Sequence, residues 1–375
     1  MSTISELFGQ QLSAINVGAA MFAEDIAAQG AKATHLEWTP PGGGRPDVIA
    51  ALDVLGRSDV AERIDAANAI ATSVSTRALT PRRALLMAAL MNVLGAMLGT
   101  EVAETIGSGI VSMSAASGMV GLVVVLGGLV GAITWNLATW WLGLPSSSSH
   151  ALIGGLAGAG LASGVSVHWS TVLDKVLIPM VVSPVGGFLL SYLVMVVLLR
   201  VLAGHPYHPT MRRFRLLQTV SAAAMALGHG LQDAQKTMGV IVIALAAGGH
   251  HALGSGIPLW VKLAAAGAIS LGTYTGGTRI MRTLGSRVID LDPARGFVAE
   301  TVSAGLLYVA AFMFGAPVST THTITAGIMG VGATRRLSAV RWGVAGDIVT
   351  AWVLTLPAAG LVAAAVARLL SLALL

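Results

Sequence analysis
From residue 66 onward the chain alternates long apolar runs with short polar loops. The runs fall at Ala84–Ile106, Met119–Leu142, Val176–Leu199, Leu259–Gly276, Phe297–Phe314 and Trp342–Ala367. Each is close to the length of about 17 to 25 residues that a membrane-crossing helix needs. Three further apolar segments are interrupted. Ser147–Val165 and Ser319–Ala333 begin at clusters of hydroxyls, and Leu216–Leu245 contains Gly228-His229-Gly230 and the polar run Gln232–Lys236. Glycines and a polar run inside an apolar segment predict a break in the helix there. The pattern predicts an all-α polytopic membrane protein with broken or re-entrant helices.

Composition agrees. Of 375 residues, 55% are hydrophobic and 10% charged, with a mean hydropathy of +0.79. Soluble domains carry about 25% charged residues. The 46 glycines suit close helix packing in lipid. With no cysteine, disulfides and thiolate metal sites are excluded, and no cofactor is expected. The net charge of +5 comes from short basic loops rather than a continuous patch, so no nucleic-acid partner is expected.

Charge is unevenly distributed. Residues 1–65 hold 4 Lys/Arg and 9 Asp/Glu, with a Pro-Pro-Gly-Gly-Gly break at Pro40–Gly44, and contain no spanning run. Met1–Gly30 lacks the basic start and apolar core of a signal peptide. The expected organisation is an atypical polar segment over 1–64, a first transmembrane repeat over 65–203, a basic cytoplasmic linker over 204–216 and a second repeat over 217–375.

Loop charge orients the helices. Arg77–Arg83, Arg200–Arg215, Arg279–Arg295 and Arg335–Arg341 are basic and belong in the cytoplasm, whereas Gly107–Gly118 and Gly248–Pro258 carry no Lys or Arg and belong outside. The helix after Pro145 then ends outside and the one after Pro317 ends inside. The order of elements repeats with opposite orientation, which is an inverted-topology repeat with its site expected near the bilayer midplane.

Polar motifs within the apolar sequence mark that site. Pro-Ser-Ser-Ser-Ser-His spans Pro145–His150 and Pro-Val-Ser-Thr-Thr-His spans Pro317–His322. The N–H groups at a helix start, with hydroxyls beside them, make a donor cradle for an anion; Ser148, Ser149, Thr320 and Thr321 are the candidate donors. Ordinary N-capping is the alternative for the same residues. Asp65-Ala-Ala-Asn68 opens the first repeat, and Gln232-Asp233-Ala-Gln235-Lys236 stands at the matching place in the second. A carboxylate at membrane depth needs a cation, a proton or hydrogen-bond donors, so Asp65 and Asp233 are candidates for holding a coupling H⁺ or Na⁺. Glu101, Glu104 and Glu300 are further candidates, and His150 and His322 are either proton carriers or packing donors. Lys236 reads as a salt-bridge partner of Asp233. A membrane hydrolase is disfavoured, because Ser149 and His150 are adjacent rather than set across a fold, and a duplicated motif has no use in a triad.

Four motifs in order, Asp65–Val74, Pro145–His150, His229–Gly239 and Pro317–His322, resemble the PiT family of inorganic phosphate transporters. The resemblance implies cation-coupled symport of inorganic phosphate by alternating access, in the bacterial inner membrane. Phosphate travelling as a neutral complex with a divalent metal is within the same expectation. It implies that Asp65, Asn68, Ser148 and Ser149 in one half, and Gln232, Asp233, Thr320 and Thr321 in the other, bind phosphate and the coupling ion. The lipid bilayer is the other partner, and the oligomeric state, a homodimer included, stays open. Two departures stand out: Gln232 replaces the family's usual Asn, and Glu62-Arg63-Ile64 precedes Asp65 where an apolar leader helix is expected. Replacement of that leader through a frameshift or altered gene start is one expectation. An impaired, non-transporting relic or a phosphate sensor is the alternative function it raises.

Overall fold
The computed structural model describes residues 13–17, 32–36, 72–112, 118–142, 144, 146–252, 254–276 and 291–374. Asp65, Asn68 and Pro145 lie outside the described residues. The chain divides into two units, Met1–Ser58 and Asp59–Leu375. In the first, strands β1 (Ser13–Val17) and β2 (Lys32–Leu36) pair in parallel, Ser13 opposite Lys32.

The second unit is all-α. Its helices are α1 (Pro81–Ala96), α2 (Glu101–Gly109), α3 (Met119–Trp141), α4 (Ser148–Ala162), α5 (Ile178–Leu202), α6 (Tyr207–Ala247), α7 (Leu259–Gly276), α8 (Pro293–Phe314), α9 (Thr320–Ala333) and α10 (Trp342–Leu374). Local chemistry sets their ends. Pro81 and Pro293 occupy first-turn positions where no N–H is needed. Asp292 accepts from the backbone N–H of Arg295 at 2.9 Å, and Gly315 closes α8 in the left-handed conformation, φ 53°. A short helical turn, Trp169–Val172, passes through a π-helical segment, Leu173–Leu177, into α5.

Among the described residues, four helical stretches are long and apolar enough to cross a membrane: Met119–Thr139, Trp169–Leu202, Pro293–Phe314 and Trp342–Leu374. The expected span Ala84–Ile106 is instead α1 and α2, bent by 70° at their junction. The expected span at Leu259–Gly276 is one of the shorter apolar helices. Val181, Val185, Leu189, Leu193 and Val197 form an exposed apolar face on α5, as lipid contact requires.

The break expected within Leu216–Leu245 is absent. The helix α6 runs unbroken for 41 residues through Gly228, Gly230 and the polar run. In a hydrocarbon medium each lost backbone hydrogen bond costs more than the roughly 1 kcal/mol that a helical glycine does. Gly230 serves contact instead: a Cβ there would lie 2.3 Å from the Asn92 carbonyl oxygen on α1.

Helix α6 forms the middle of the unit, with α1, α2, α7 and α8 against it. The two short helices behind the hydroxyl motifs are held differently. Helix α4 packs against α3 and the carboxyl-terminal α10, whereas α9 packs against α8 and α5. Each is thus clasped by the long closing helix of the opposite half. Small residues allow the approach: a Cβ on Gly158 would sit 2.1 Å from the Gly360 carbonyl oxygen.

Candidate functional site
The two hydroxyl motifs adopt the same local geometry. Ser147 and Ser319 have extended backbones and cap α4 and α9, each hydroxyl accepting from the N–H of the histidine three residues on, at 3.3 Å. The helices therefore start at Ser148 and Thr320, three residues past the prolines, because the serine two residues after each proline takes the cap. Ser149, Thr320, Thr321 and both histidines are buried.

Those motifs meet through their histidines. The rings of His150 and His322 are 5.0 Å apart between centroids, tilted by 54°, and His322 stacks on Trp352 of α10 at 3.9 Å. Both imidazoles are fully buried, and none of their ring nitrogens has a hydrogen-bond partner among the described residues. A buried imidazole without a partner is costly, so two in contact form a polar site within an apolar interior.

Helix α6 supplies the charges. Lys236 Nζ lies 2.9 Å from Asp233 Oδ2 and donates to the hydroxyls of Ser148 at 2.5 Å and Ser149 at 3.5 Å. The salt bridge expected at Lys236 is present, and the lysine also reaches the hydroxyls of the opposite half. On the other side, His229 Nε2 sits 3.3 Å from Asp233 Oδ2, while its Nδ1 is 3.0 Å from Asn92 Oδ1. Asp233 Oδ1 has no partner among the described residues.

Two of the glutamines of α6, Gln232 and Gln235, hold backbone. Gln232 donates to the carbonyls of Leu307 and Ala316 at 3.2 and 3.4 Å and accepts from the N–H of Val318 at 3.3 Å. That fixes the extended segment before α9. Gln235 accepts from the N–H groups of Val102 and Ala103 at 2.8 and 3.2 Å, capping α2 from a neighbouring helix. Gln232, a sequence candidate for binding, thus has its amide engaged; Gln235 stands in the same polar run, but the sequence does not signal its hold on α2 because that target is distant along the chain.

Glu300 forms a separate polar centre. It is fully buried on α8 and accepts from the hydroxyls of Thr72 and Ser221 and, at 3.4 Å, from Gln218 Nε2. Thr76 donates to Gln218 Oε1 at 2.6 Å, closing the cage. No basic side chain pairs with Glu300 among the described residues. Glu101 and Glu104 are not buried: both lie exposed in the first turn of α2, where Glu101 accepts from Thr100 N–H at 3.0 Å and Glu104 from the Thr100 hydroxyl at 3.2 Å. Three-residue spacing puts them on one face, but both hold Thr100 at the bend between α1 and α2 rather than facing the interior. Among the described residues, no group of three or more His, Asp or Glu is arranged to hold a metal ion.

A helical bundle with membrane-length apolar spans, and a buried polar centre made where short helices begin, defines a polytopic membrane protein with a polar site in its interior. Residues 64–363 match the phosphate transporter family, and the chain belongs to it. It is 49% identical over 303 residues to a probable low-affinity inorganic phosphate transporter of Rhizobium meliloti, covering 80% of this chain and 89% of that protein. A Bacillus subtilis protein of the same description is 42% identical over 295 residues, covering 78% and 87%. A solved structure described as the sodium-dependent phosphate transporter superposes with a TM-score of 0.75 at 27% identity, covering 87% of this chain and 99% of the other.

Proposed function
We propose that the protein carries inorganic phosphate across the bacterial inner membrane, coupled to entry of H⁺ or Na⁺, by alternating access between two inverted repeats. The observation that carries this reading is the convergence on one buried centre of Ser148, Ser149, Asp233, Lys236, His150 and His322, drawn from both repeats. Hydroxyls and an ammonium are donors to a tetrahedral oxyanion, and Thr320 and Thr321 begin the second cradle. Asp233 is the carboxylate of this centre, and Glu300 and the histidine pair are the titratable groups that a coupling proton or cation would use. Each positive charge entering with phosphate contributes about 2.3 kcal/mol per 100 mV against a negative-inside potential.

Labelled phosphate uptake into proteoliposomes tests this, first under a pH gradient and then under a sodium gradient. Accumulation above empty vesicles, lost in Asp233→Asn, is the expected result. Uptake equal to empty vesicles, with phosphate binding retained, would instead support the sensor or relic reading raised by residues 1–64.

A further inference from the structure
We propose that the ammonium of Lys236 is a tethered cation filling the second repeat's cation position, so that this half takes no dissolved Na⁺ at Asp233. The proposal rests on the transporter reading above and specifies its ion coupling.

Among the described residues, the hydrogen-bond and ion-pair partners of Nζ are oxygens: Asp233 Oδ2 at 2.9 Å, Ser148 Oγ at 2.5 Å and Ser149 Oγ at 3.5 Å. A carboxylate with two hydroxyls is ligation suited to a small hard cation. An ammonium is a compact point charge with three donors, and here each donor has one oxygen to meet. The site is enclosed: Asp233 is 5% exposed and Lys236 9%. Charge next to Asp233 is therefore supplied by the chain itself. Among the described residues, the groups around the pair include His229, 3.3 Å from the same carboxylate oxygen, Asn92 beyond it on α1, and His150 on the lysine side.

The sequence marks this as a difference between the halves. Asp65 is followed three residues later by Asn68, and Asp233 three residues later by Lys236. An amide oxygen is a ligand for a free cation, whereas an ammonium takes that cation's place. A tethered charge does not cross with the substrate, so it drops out of the transported stoichiometry. It still serves phosphate, because a serine hydroxyl accepting from an ammonium keeps its own proton to donate.

The decisive measurement is the number of ²²Na⁺ ions bound per chain by the purified full-length protein, with and without phosphate. Lys236→Asn, which restores an amide oxygen, is expected to bind one more Na⁺ than wild type. Lys236→Met, which vacates the position but adds no oxygen, is expected to bind the extra Na⁺ more weakly than Lys236→Asn, and tighter binding than in Lys236→Asn overturns the role of the amide. Equal counts in wild type and Lys236→Asn overturn the proposal. If Lys236→Asn does not give monodisperse protein, Asp233→Asn decides: an unchanged sodium count supports the tethered cation, and a loss of one ion overturns it. Phosphate uptake by wild-type vesicles is run alongside. Its absence overturns the transporter reading, while the sodium counts still judge the lysine.

Discussion
Individual side chains at the centre have separable duties. The rings of His150 and His322 meet in the interior, His322 also stacks on Trp352, and their ring nitrogens have no hydrogen-bond partner among the described residues. Replacing either by Phe keeps a flat aromatic ring, slightly larger, and removes the proton-binding atoms. We expect His322→Phe to keep stability, read as the thermal midpoint, while uptake driven by a pH gradient falls by roughly tenfold, the equivalent of about 1.4 kcal/mol. Retained pH-driven uptake would make the pair a packing contact. Glu300 sits inside donors from Thr72, Ser221 and Gln218. Glu300→Ala leaves these buried groups unsatisfied at about 1–3 kcal/mol each, so the thermal midpoint should drop. Glu300→Gln keeps the shape of the cage, so it should fold and lose cation-driven accumulation.

Among the elements, α6 departs furthest from its sequence pattern. Glycines at 228 and 230 and a polar run normally signal an interruption, yet the helix continues. Those residues are polar and small because of what lies opposite: Asn92 against Gly230, Ala316–Val318 against Gln232, and the start of α2 against Gln235. None of these partners lies near in sequence, so periodicity could not disclose them. The hydroxyl motifs, by contrast, were legible, because a serine before a helical run is a local signal. Their meeting through His150 and His322 was not, since it depends on the opposite clasp of α4 and α9. That clasp can be tested at Gly158, where even a Cβ collides with the Gly360 carbonyl. Gly158→Leu should destabilise by about 1–3 kcal/mol or more, seen as a lower thermal midpoint and reduced uptake, whereas Gly186→Ala, which meets open space, should be silent.

At the scale of the molecule, the alternation of apolar runs was enough to give an all-α polytopic protein, and loop charge to suggest opposed halves. Exposure at Glu101 and Glu104 was not readable, because a bend of 70° between α1 and α2 is invisible to hydropathy. The exchange of closing helices, α5 onto α9 and α10 onto α4, is also a purely three-dimensional fact. It predicts that a chain ending before Trp342, although it keeps every motif, will elute as aggregate in detergent. Adding residues 342–375 back on a separate polypeptide should recover a portion of monodisperse protein. There is a consequence for biosynthesis. The surface of α4 that receives α10 emerges from the ribosome some two hundred residues before its cover. Nascent chains must therefore hold that small-residue seam open in the translocon or against lipid, and maturation can finish only once α10 has been made and inserted.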